Sequence, residues 1–167
     1  MHRGQGWGAV IGPVVVIIVA VVVAQQILPV IFPPPLKPPV EITDLRIGGL
    51  ERGTQAKNGD YTDITFTLKN NDGKDHQLTV VFEMTAEGIR HVSITNPGRE
   101  ELARSDTRFQ YTKAIGSTDP YLREQKVLAF AKMQPGLSSV SVEIRIILIV
   151  DGKAVGDPQT LTLNISK

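Results

Sequence analysis

The sequence predicts a two-part chain: one long N-terminal hydrophobic α-helix, then an all-β sandwich of seven to eight strands. Three observations predict it. Gly8–Phe32 reads GAVIGPVVVIIVAVVVAQQILPVIF and carries no charge. Pro33–Pro39 reads PPPLKPP, which fits neither a helix nor a central strand. From Val40 onward, apolar residues recur at every second position between clusters of Gly, Asn, Asp and Pro. The expected boundaries are 1–32 for tail and helix, 33–39 for a proline spacer and 40–167 for the β domain.

As a helix, Gly8–Phe32 would span about 37 Å at a rise of about 1.5 Å per residue, against a bilayer core about 30 Å thick. Val and Ile are not the best helix formers in water. In lipid or in a protein-lined core the backbone must satisfy its hydrogen bonds internally, which favours the helix. Pro13 falls near the start, where a missing N–H costs least, and Pro29 in the last turns, where it kinks or ends the rod. Gly8 and Gly12, and again Ala20 and Ala24, stand in small-xxx-small spacing that lets neighbouring helices approach closely.

Three readings of this stretch stay open. Trp7 and Arg3 suit a permanent single-span anchor. The basic start and Val22-Val23-Ala24 suit a removable secretory signal. The small residues suit a helix packed against its own copies. The spacer after it should be polyproline II, about 3.1 Å per residue, giving roughly 20 Å of semi-stiff standoff.

Strands follow in order. Val40–Ile47 closes at Gly48-Gly49. Tyr61–Lys69 places Ile64, Phe66 and Leu68 on one face and Thr65, Thr67 and Lys69 on the other. Asn70-Asn71-Asp72-Gly73 turns it, and Gln77–Thr85 returns with Leu78, Val80, Phe82 and Met84 inward. Ile89–Thr95 is shorter and ends at Asn96-Pro97-Gly98. Arg108–Lys113 is a further strand. Tyr121–Met133 fits a strand or a helical turn and is assigned as strand. Ser138–Val150 alternates most strongly, with Val140 to Val150 in phase, and Asp151-Gly152 returns it into Thr160–Ile165. This count and spacing suggest an immunoglobulin-like sandwich. Without a Cys…Trp…Cys pattern it is not of antibody type.

The 167 residues carry a net charge of +1 and no cysteine. Thiol nucleophiles, thiolate metal sites and disulfides are therefore excluded, and the core alone must hold the domain. Of 18 Lys and Arg, only Arg3 and Lys37 precede Val40, so 16 face 17 Asp and Glu, well mixed, in the β domain. That is a solvated surface rather than a nucleic-acid footprint.

No catalytic constellation, cofactor motif or metal spacing is visible. His2, His76 and His91 read as surface residues. Asp60, Asp63, Asp72 and Asp75 could gather, and Asn71–Asp75 loosely has the oxygen-rich character of a calcium loop. Lys74 and the lack of a later Glu count against it, and turn chemistry explains the same residues. Ile147 and Ile149 are apolar on the polar face of their strand. They are candidate subunit contacts, unless Tyr121–Met133 covers them or they are buried within the domain. Asn164-Ile165-Ser166 is a glycosylation sequon.

The leader ending Arg3-Gly4, the Gly/Val/Ile-rich stretch containing Val10-Ile11-Gly12-Pro13 and the outer β domain of about 130 residues together resemble archaeal type IV pilins and archaellum-family proteins. The resemblance covers the overall architecture and roughly the first 30 residues. It implies cleavage between Gly4 and Gln5 and a filament whose core is built from the exposed helices. The acidic residue expected at the fifth mature position is absent.

The expected function is a non-enzymatic structural subunit of an extracellular filament at the cell surface. Its partners would be copies of itself, after passage through the membrane, with no nucleic acid and no small-molecule substrate. The alternative is a single-span, membrane-anchored binding module that holds a surface layer or an archaellum motor component.

Overall fold

The computed structural model describes residues 37–85 and 87–167. Pro38–Lys167 forms one compact unit. Ten strands build it: β1 (Val40–Ile47), β2 (Gly53–Lys57), β3 (Tyr61–Asn70), β4 (His76–Met84), β5 (Ile89–Thr95), β6 (Ala103–Ser105), β7 (Arg108–Ile115), β8 (Tyr121–Met133), β9 (Ser139–Val150) and β10 (Lys153–Ser166).

This corrects the expected architecture. The described residues are all-β, with no helix among them, and none of them forms a helix long and apolar enough to cross a membrane. The helix drawn over Gly8–Phe32 lies outside them. The sandwich has ten strands, not seven to eight. The two extra ones, β2 and β6, have no buried alternation for a sequence pattern to reveal.

The strands lie in a four-stranded sheet, β1-β3-β8-β5, and a six-stranded sheet, β2-β10-β9-β4-β7-β6. The first matches the A-B-E-D order of an immunoglobulin constant-type sandwich, and β4, β9 and β10 match C-F-G. Strand β2 adds a parallel edge to β10, and the β6–β7 hairpin extends the sheet beyond β4. Gly53 opens β2 for a steric reason: a Cβ there would lie 2.6 Å from the Thr162 carbonyl oxygen.

The inward phases of both sheets meet in one core. Phe66, Phe82 and Phe109 are its largest fully buried side chains. Phe66 lies 6.1 Å from Phe82, and edge-on to Tyr111 at 5.8 Å, across the two sheets. Tyr111 keeps its hydroxyl satisfied by donating to Gln125 Oε1 at 2.7 Å.

Strand β3 is flanked by irregularities on both sides. The β1 ladder shifts register between Thr43 and Arg46, and the β8 ladder shifts across Phe66–Leu68. Asp44 and Glu124 sit in the left-handed region there (φ 51° and 52°). Bulges of this kind bend a strand and re-aim its neighbours. At the opposite edge of β1, Asn71 fixes the start of the domain: its N–H donates to the Pro39 carbonyl at 2.8 Å and its side chain to the Pro38 carbonyl at 3.1 Å.

Candidate functional site

Gly4, Gln5, Gly8, Gly12, Ala20 and Ala24 lie outside the described residues. Asn164 is exposed on the outward phase of β10, in the middle of a ladder between β2 and β9. Ile147 and Ile149 are half-buried on the outer face of the six-stranded sheet, opposite Val81 and Thr79. Val81 is only 2% exposed, so Ile147 and Ile149 alone leave apolar surface partly open there. The Tyr121–Met133 segment does not cover it. That segment is β8, paired with β3 and β5 in the other sheet. The same strand assignment settles its helix-or-strand ambiguity.

One pole of the sandwich gathers the turn residues. His76 is not a surface residue but 8% exposed, in phase with Leu78 and Val80. Its Nδ1 lies 2.7 Å from Asp151 Oδ2 and its Nε2 2.8 Å from Asp72 Oδ1. Two carboxylates facing both ring nitrogens favour the doubly protonated ring. The hydrogen bond to Asp151, then that to Asp72, holds the imidazole above its usual range. The bond to His76 holds both aspartates below theirs.

Asp151 also accepts from the Gln77 N–H at 2.9 Å, and Asp72 from the Lys74 N–H at 3.1 Å. Asp75 turns to the neighbouring loop and accepts from the Ser117 N–H at 2.5 Å. Asp60 and Asp63 are not part of this group, and Asp63 pairs with Lys126 at 2.7 Å. The oxygen-rich loop therefore surrounds an imidazole, and no group of three possible metal ligands occurs among the described residues.

The outer face of the four-stranded sheet carries the most chemically distinctive surface. Tyr61 and Phe130 are cross-strand partners with ring centroids 5.0 Å apart. His91 stands edge-on to Phe130 at 5.6 Å. Arg99 lays its guanidinium over the Tyr61 ring at 5.0 Å. The turn that presents Arg99 is locked by Asn96 and Glu100, which exchange side-chain and backbone hydrogen bonds of 2.8–3.0 Å. Arg99 itself has a left-handed backbone, φ 65°.

Toward the other end of the same face, the two bulges open a groove of about 500 Å³ whose lining includes Arg46, Tyr121 and Arg123. Sequence reasoning missed the aromatic cluster. The available signal was phase: Tyr61 alternates with the buried set of β3, and Phe130 with Val127, Ala129 and Ala131 of β8.

No family model and no curated protein matches the chain. Solved structures with a similar fold exist. The CooA pilin subunit of enterotoxigenic Escherichia coli is 14% identical, with a TM-score of 0.49 over 77% of this chain and 98% of that one. A type II cohesin domain from the cellulosome of Acetivibrio cellulolyticus is 9% identical, with a TM-score of 0.43 over 74% of this chain and 95% of that one. The BcpA major pilin subunit of Bacillus cereus, in a D312A variant, is 14% identical, with a TM-score of 0.42 over 76% of this chain and 40% of that one. At these scores the likenesses carry no functional argument, and the part of the archaeal resemblance carried by the first 30 residues lies outside those described.

Proposed function

We propose that the chain is a non-enzymatic structural subunit of a cell-surface filament. The uncharged residues 8–32 would pack with those of other copies, and the sandwich would be displayed outside. The observation that carries this reading is the uncharged Gly/Ala/Val-rich stretch itself, with Gly8 and Gly12, and again Ala20 and Ala24, in small-xxx-small spacing. The chain passes from an uncharged apolar stretch through PPPLKPP into a domain that grips Pro38 and Pro39 through Asn71. Asn71 thereby fixes the point at which the folded domain begins. The non-enzymatic part of the reading is supported by His76. Both of its ring nitrogens are committed to carboxylates, which leaves neither free to act as a base. The proline-rich Pro33–Pro39 stretch favours a second reading, a membrane-anchored module that projects its sandwich toward a partner.

Microscopy of material sheared from cells, with mass spectrometry of the chain's N-terminus, separates the two. Filaments containing a chain that begins at or near Gln5 are the expected result. A chain retaining residues 1–32 and found only in detergent-solubilised membranes would overturn the filament.

The outer patch gives a second test. Ile147→Thr with Ile149→Thr is expected to reduce assembly while lowering the melting temperature by only a few degrees, because both side chains are already half-exposed in the domain. Lower melting with unchanged assembly would remove them from the subunit contact.

A further inference from the structure

We propose that the outer face of the four-stranded sheet, around Tyr61 and Phe130, binds an acidic glycan of the uronate type. Sugar rings would lie against the exposed side of this aromatic cluster, beside the Tyr61 ring that Arg99 covers, and their carboxylates would meet Arg99 and Lys132. The inference goes beyond the filament reading and holds however the chain is attached to a surface.

Three observations support it. First, Tyr61 is 40% exposed, and its contact with Phe130 makes a continuous aromatic surface on a sheet face, where the core does not need one. Aromatic rings are large, rigid and able to take apolar ring faces beside polar groups.

Second, two cations are available. Arg99 and Lys132 are exposed and form no ion pair among the described residues, whereas the nearby Asp63 is neutralised by Lys126. Lys132 is the cross-strand partner of His91, which places it beside the rings.

Third, Arg99 is pre-positioned. Its guanidinium is stacked on Tyr61, and the Asn96–Glu100 turn fixes its backbone in a conformation that non-glycine residues seldom adopt. A stacked guanidinium keeps its edge N–H groups for a planar carboxylate, which it meets in bidentate fashion.

A linear anionic sugar needs only ring faces and a few cations, which is what this face presents.

The test uses the full chain in detergent micelles, titrated calorimetrically with trigalacturonate and with its methyl ester, which keeps the rings and removes the charge. Saturable binding to the acid is expected, at least tenfold weaker for the ester and at least tenfold weaker in Arg99→Gln. Phe130→Leu, which keeps apolar volume at a half-buried site, should also weaken it, and the melting curve of each variant verifies folding. Absence of saturable binding, equal binding of the ester or an unchanged Arg99→Gln would overturn the proposal. So would self-association that Arg99→Gln abolishes while no sugar binds, which would assign the face to a protein contact. Because no arm depends on filament formation, failure here and failure of the filament reading are distinguishable.

Discussion

Replacing Phe82 with Ala is expected to destabilise the sandwich by about 3–5 kcal/mol, the usual cost of removing a fully buried aromatic ring. Phe82 is 0% exposed, pairs across strands with Phe109 and Ile146, and lies 6.1 Å from Phe66 of the opposite sheet. It therefore sits where the two sheets meet, and strands paired on both sides leave little freedom to collapse into the void. Domains of this size have total stabilities of about 5–15 kcal/mol, and no disulfide is available to hold this one. In melting terms the loss corresponds to roughly 10–20 °C. Phe82→Leu should cost much less. A Phe82→Ala variant within about 1 kcal/mol of the parent would mean that the two sheets are not close-packed at this layer.

The second large effect is a dependence of stability on pH that originates at His76. Its imidazole is held above the usual value of 6.5, first by Asp151 and then by Asp72. A raised folded-state pKa adds stability that is fully present below the unfolded value and disappears as pH rises through the folded value. The two aspartates are held below 3.8, so their contribution is present above that value and is lost as pH falls through their lowered ones. The cluster should therefore stabilise the domain most between about pH 4 and 6.5. Above that window stability should decline, by at most about 1.4 kcal/mol per pH unit, because one proton is involved.

The measurement is a series of melting or denaturant curves from pH 5 to 9 on the parent chain and on His76→Gln. The parent should lose stability across this range relative to the variant. Parallel curves would mean that folding leaves the proton affinity of the His76 imidazole unchanged. Asp151→Asn should be more damaging than Asp72→Asn, since Asp151 also holds the Gln77 N–H and joins two strands distant in sequence.

Much of the domain was legible because period-two alternation is a local signal. The sequence bounds of β1, β5 and β8 coincide with those in the structure, and those of β9 differ by one residue. The parts that were not legible depend on distant partners. Strand β2, reading GTQAK, is a strand only because β10, more than a hundred residues later, offers it a parallel edge. Strand β6 is three exposed residues held by β7. Strand β10 begins at Lys153 rather than Thr160, because a shift around Gly156-Asp157-Pro158 lets it keep pairing with β9 where the residues suggested a loop.

His76 was misread because its neighbours in sequence are turn residues and Asp151 is 75 positions away. Its phase with Leu78 and Val80 was the overlooked clue. The aromatic face was missed for the same reason, since Tyr61, His91, Arg99 and Phe130 come from three strands and a turn.

The grip of Asn71 on Pro38 and Pro39 has a mechanical consequence. Val40, the first residue of β1, pairs with Asn70, so the ladder begins immediately beside that grip and runs on to Ile47 opposite Ile64. A tension applied at Pro38 along the direction of β1 pulls the strand lengthwise past β3. The antiparallel hydrogen bonds, which lie across the strands, then resist together, aided by the Glu41–Lys69 ion pair at 3.1 Å. The same tension directed away from the sheet would meet them one at a time, starting with the two Asn71 bonds. A pull at Pro38 therefore meets high resistance in one direction and low resistance in the other, and Asn71 is the latch whose release marks the change between them.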